Sequence, residues 1–236
     1  SKGAGRVSSN KKLKVSYIHG TSEDGYAAYF TPNAIGGIKT DIVVYGRTGT
    51  NFEWSSSTII SNLFHELGHA TMFTGVSIND YREKDSTIKE PWACFYSWLH
   101  TYYFYEKYDA GDKIREKLKY NNSLVYYDVP SNLNKQYWTK GDDEYNPLVI
   151  DLFDNNNQRW WAINNVHLYN RTSNLYPNDE IHIFPTNENT DIVKDLVFDA
   201  TSNNNFLNLL RNNRSYLNIS EAKIQTYISS YYYYNI

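Results

Sequence analysis

Between Ser55 and Gly75 one pattern constrains the fold more than any other. Ile59, Ile60, Leu63, Phe64, Leu67 and Ala70 recur at helical spacing with no proline among them. Ser55, Ser56 and Ser57 offer N-caps and Gly75 a C-terminal cap, so the spacing predicts a helix of about five turns. Inside it stand His65, Glu66 and His69. Residues four apart share a helix face, so the two histidines can aim ring nitrogens at one ion while Glu66 stands beside them. A catalytic metal site needs neutral imidazoles, an open position for water and a base to take that water's proton, and His65-Glu66-Leu67-Gly68-His69 supplies two ligands and a base. The competing reading is two surface histidines flanking a glutamate. It is the weaker one, because Phe64, Leu67 and Ala70 bury this helix against a sheet and Gly68 allows the chain or a substrate to approach closely.

A third protein ligand is expected downstream. Glu90 is the choice: a polar connection from Ser77 to Lys89 allows a second helix, beginning near Glu90, to pack antiparallel and return toward His69. Pro91 suits a first helical position. The rival role for Glu90 is local, because Thr87-x-x-Glu90 also fits a capping box. Asp80, Glu83 and Asp85 compete as loop carboxylates, and His100 lies about 80° round the helix from Glu90, which suits a core histidine. Cys94 lies in an apolar aromatic run and reads as a buried thiol; as the one cysteine it forms no internal bridge. An oxyanion donor is also wanted, but 23 tyrosines leave it unselected.

Around this helix the fold class is α+β. Short strands are expected at Leu13 to Ile18, Tyr26 to Phe30 and Ile38 to Tyr45, forming a small antiparallel or mixed N-terminal sheet. The second helix runs from Glu90 to Tyr120, with a break near Asp109 to Asp112. Beyond it come a strand at Leu124 to Asp128, a mixed segment at Pro147 to Phe153, and late helices at Phe206 to Leu210 and Glu221 to Tyr234. Asn155 to Asn157 and Asn203 to Asn205 read as turns. With 236 residues, one domain over 13–236 can bury a core without disulfides; it divides into sheet and active-site helix (13–75) and a mainly helical portion (76–236). Residues 1–12 read as a polar linker with an upstream segment before it.

The net charge of −3, with both signs interspersed, excludes the basic field that draws proteins to nucleic acid. No membrane span is expected. Asp142-Asp143-Glu144, Asp151 and Asp154 lack calcium-loop spacing and read as solvated acids. Arg159-Trp160-Trp161 reads as a loop wedge, and His167 and His182 as structural or surface residues. The N-x-Ser/Thr sequences at Asn121, Asn170, Asn213 and Asn218 carry little weight in an Asn-rich chain. There is no GxSxG elbow or phosphate-cradling glycine loop.

Over Ile59 to Leu99 the chain resembles the zincin metallopeptidases, in the gluzincin-like branch whose active-site helix reads HELGHA and whose following helix supplies a glutamate. The resemblance implies zinc, with His65, His69 and Glu90 as ligands and Glu66 as general base. It also implies that Asp41, Ile42, Val43 and Val44 form an edge strand holding an extended peptide by backbone pairing. Cys94 stands four residues after Glu90, where some relatives carry an acidic partner for a histidine. Glu90-Pro91-Trp92-Ala93, Tyr145 to Leu152 and Asn157-Gln158-Arg159 resemble bacterial zincin-like proteins that are often secreted or attached to larger surface or toxin-type polypeptides. The expectation is a monomeric, extracytoplasmic or secreted zinc metallopeptidase acting on a peptide or protein. Two readings stand beside it: a metal hydrolase of another amide, and a zinc-binding interaction module of a larger secreted protein with no turnover.

Overall fold

The computed structural model describes residues 13–20, 27–31, 41–48, 52–53, 56–108, 148–149, 152–153 and 187–234. The expected features at 1–12, 109–112, 124–128, 142–144, 151, 154–157, 159–161, His167 and His182 lie outside them, as do Asn121 and Asn170. The described residues are α+β. Strands β1 (Val15–Ile18), β2 (Ala28–Phe30) and β3 (Ile42–Tyr45) form a mixed sheet in the order β1-β3-β2, with β1 parallel and β2 antiparallel to β3. A two-stranded ribbon, β4 (Arg47–Thr48) with β5 (Phe52–Glu53), follows. The helices are α1 (Ser56–Gly75), α2 (Ile78–Glu83), α3 (Ser86–Tyr108), α4 (Asn187–Asp199), α5 (Asn203–Asn213) and α6 (Glu221–Tyr234), with a 3-10 turn at Arg214–Leu217.

β3 is the centre of its sheet, which corrects the expectation that Asp41 to Val44 form a peptide-binding edge. Ile42, Val43 and Val44 are all buried. Three consecutive β-branched residues fit a strand covered on both faces, whereas a half-exposed strand alternates. Asp41 is occupied in the same way: its carboxylate accepts the Lys14 N–H at 2.8 Å, its own N–H donates to Lys14 O at 3.0 Å, and its carbonyl accepts the Thr31 N–H at 2.8 Å. The outer strands among the described residues are β1 and β2.

α1 packs on β2 and β3. Phe73 ties it to its surroundings, with its ring 5.8 Å from Phe30 on β2 and 5.4 Å from Tyr81 on α2. The segment expected to be a plain connection contains α2, started by a reciprocal cap: Ser77 Oγ accepts the Asp80 N–H at 3.1 Å, and Asp80 Oδ2 accepts the Ser77 N–H at 3.3 Å. Among the described residues no helix is long and apolar enough to cross a membrane.

By its contacts the chain separates into two compact units, and α3 passes from one to the other between Trp92 and Ala93. One unit holds the sheet, α1 and α3 from Ala93 onward. The other holds the first turns of α3 with α4, α5 and α6. In that second unit Lys84 is buried and its ammonium donates to Phe198 O at 2.5 Å and Ala200 O at 2.6 Å. A cation at these carbonyls satisfies acceptors and complements the helix dipole where α4 ends. Trp92 is fully buried with its ring 5.2 Å from Phe198. α4 was not foreseen. Asn203 to Asn205, expected as a turn, instead form the first turn of α5, because Ser202 caps them by accepting the Asn205 N–H at 3.3 Å.

Replacing Lys84 with Met keeps the stem and removes the two charged hydrogen bonds. The expected result is a loss of about 2 kcal/mol of stability, read as a lower urea midpoint with an unchanged slope.

Candidate metal centre

The site is built on two antiparallel helices. As α1 advances through residues 61, 65 and 68, its contacts on α3 retreat through 97, 94 and 93. Ser61 and Ser97 hydroxyls meet at 2.9 Å, and Ser97 Oγ also donates to Ser61 O at 2.7 Å. Cys94 Sγ lies 4.0 Å from His65 Nδ1. At Gly68 the helices approach closely: a Cβ there would stand 2.7 Å from Ala93 Cα and 3.0 Å from Tyr96 Cβ. The neighbour that Gly68 admits is therefore the backbone of α3.

His65, His69 and Glu90 come together. Each offers one ligand atom, and these atoms lie within 4.8 Å of one another. A tetrahedral ion bound at about 2.0–2.1 Å sets its ligands roughly 3.4 Å apart, so side-chain rotation closes the group on one ion. Two imidazoles and a carboxylate are a chemically sound donor set, and the three residues can hold a metal ion. The imidazole rings of His65 and His69 stand 4.9 Å apart and nearly perpendicular, at 84°. Glu66 and His69 are each only 8% exposed, so both polar groups lie in a protein environment where electrostatic contacts are strengthened.

The rival role for Glu90 falls away. α3 begins at Ser86, a turn earlier than expected, and its cap is Asp85, whose Oδ1 accepts the Thr87 N–H at 3.0 Å. Thr87 is thus inside the helix rather than at its cap, and its Oγ1 accepts the Asn203 N–H at 3.4 Å. Pro91 sits in the helix interior, where its missing N–H leaves Thr87 O without the usual bond from residue 91. The other carboxylate candidates have separate places: Asp80 accepts the Ser77 N–H in the reciprocal cap of α2, Asp85 caps α3, and Glu83 is exposed at the end of α2.

His100 stays apart from this group. Its ring is held between Phe64, at 5.5 Å, and Tyr96, at 4.1 Å. Burial pushes its pKa down from 6.5 to about 4, and burial pushes the Tyr96 hydroxyl up to about 12. Both groups are therefore neutral near pH 7. Two features of the site went unforeseen: the hydroxyl pair at Ser61 and Ser97, and Asp85 as the cap. Asp85-Ser86-Thr87 ahead of an apolar run carries a capping signal that points to Asp85. Comparison with protein families, with curated proteins and with solved structures finds no match to this chain.

Gly68→Ala forces α1 and α3 apart against backbone. A loss of about 1–3 kcal/mol is expected, together with weaker metal binding, measured by denaturation and by chelator competition. His100 gives a pH signature. Above pH 6.5 the ring is neutral folded or unfolded and contributes nothing. As pH falls from 6.5 to about 4 only the unfolded chain takes the proton, so stability drops, by about 3 kcal/mol at most. His100→Phe should flatten that acid-side fall relative to the wild-type chain, read as urea midpoints at pH 7 and pH values near 4.5.

Proposed function

We propose that the chain is a zinc-dependent metallopeptidase. The observation that carries this reading is the meeting of His65, His69 and Glu90 from two helices, beside a buried Glu66. Two nitrogens and one oxygen suit zinc and leave a fourth tetrahedral position for water or substrate. Bound there, zinc supplies a Lewis acid that polarises the scissile carbonyl and lowers the pKa of water. The chain supplies the rest. His65 and His69 must be neutral to offer their lone pairs, and Glu90 contributes the negative charge that balances part of the ion's.

Glu66 lies on α1 about 100° round from His65 and about 60° round from His69, at the border of the face the two histidines share. From that position its carboxylate is suited to take a proton from the attacking water and pass it to the departing amine. Its burial keeps bulk water from competing for that proton.

The test is one set of three proteins assayed for zinc content and for cleavage of a peptide library. Glu66→Gln should keep its zinc and lose about 10²–10⁴-fold in hydrolysis. Glu90→Ala should bind zinc at least about 10-fold more weakly. A wild-type chain that holds zinc and cleaves nothing, or a Glu66→Gln variant at full activity, overturns the reading.

A further inference from the structure

Four residues fall into two pairs along their helices. His65 and His69 are four apart on α1, and Glu90 and Cys94 are four apart on α3, so each pair shares a helix face. Glu90 joins the metal group, and the thiol of Cys94 lies 4.0 Å from Nδ1 of His65. Cys94 is 0% exposed, as are Ala93 and Phe95 on either side of it, so its sulfur has little room to turn elsewhere. The nearby backbone contact at Gly68 fixes its distance from α1.

A neutral imidazole carries one N–H and one lone pair, and a metal needs the lone pair. A ligand histidine is therefore prepared for metal when its other nitrogen holds the proton and donates it to a fixed acceptor. We infer that Cys94 is the positioning residue for His65: its sulfur accepts the Nδ1–H and so leaves the Nε2 lone pair for a metal ion. The inference rests on the metal-centre reading above.

The choice of a thiol has a physical consequence. A carboxylate in this place would make the imidazole a stronger donor, but in the metal-free protein it would be a further buried negative charge close to Glu90. A thiol orients the ring at no charge cost and accepts a weaker hydrogen bond. The site it makes binds zinc less tightly than a carboxylate-backed one and is cheaper to keep folded without metal.

The test uses the full chain labelled with [15N]histidine, with His65 assigned by its loss in His65→Gln. Two-bond proton–nitrogen spectra of the metal-free protein report the tautomer, and competition with a chromophoric chelator reports the zinc Kd. The wild-type chain should show His65 protonated at Nδ1. Cys94→Ala should move part of the population to the Nε2–H form and raise the zinc Kd about 10-fold, while the remaining histidines keep their shifts. Cys94→Asp should restore the Nδ1–H form and bind zinc at least as tightly as wild type, a rescue that simple cavity filling would not give. An Nε2–H tautomer in the wild-type chain overturns the inference, and needs no variant to fold. So does a Cys94→Ala protein with unchanged tautomer and a Kd within about twofold. In both cases the zinc site itself stands. A wild-type chain that takes up no zinc overturns the metal centre and this inference with it.

Discussion

At Gly68 two helix backbones come so close that a single methyl group would stand 2.7 Å from Ala93 Cα. Most of the site's geometry depends on that approach. It brings the face of α1 carrying His65 and His69 toward the face of α3 carrying Cys94, and Glu90 lies one turn before Cys94 on the same helix. Glu90, 25 residues from His65, can be held beside the histidines because it rides on a helix rather than a loop. The glycine in the middle of the motif is thus a packing device, and the cost of placing glycine inside a helix is offset by the contact it permits.

The acidic residues around the centre divide their work by position. Asp80 and Asp85 lie at helix starts, where each carboxylate accepts a backbone N–H that has no helical partner, Ser77's and Thr87's respectively. Glu90 is already in the second turn of α3, where no such N–H needs it. The cap that could have claimed it belongs to Asp85. Lys84 works at the opposite kind of terminus, giving its ammonium to carbonyls at the end of α4.

The site was more legible in the sequence than the sheet was. His65, Glu66 and His69 announce themselves through spacing alone, and the bounds of α1 follow from its serines and its closing glycine. Glu90 follows from chain reversal, since a connection short enough to hold only α2 returns the next helix antiparallel. The start of α3 is not legible from Pro91, which suits a first-turn position by local preference yet lies inside the helix. The central place of β3 is not legible in local spacing, because strand order is set by pairing between distant segments. Its run of buried Ile42, Val43 and Val44 held the clue. Asn203 to Asn205 show the same limit from the other side: a composition typical of turns becomes helical when Ser202 caps it and Phe206, Leu207 and Leu210 find a core.

The hydroxyl pair of Ser61 and Ser97 is far from glamorous chemistry, yet it works as a vernier between the two helices. Apolar side chains tolerate sliding, because one methyl contact substitutes for another. Two buried hydroxyls do not, because any slip leaves polar groups without partners. A displacement of α3 by a single residue would turn its ligand face by about 100° and carry Glu90 away from the histidines. The pair therefore sets the phase of one helix against the other, about one turn back from His65, and a slip that costs two small side chains their bonds would also unmake the group of three.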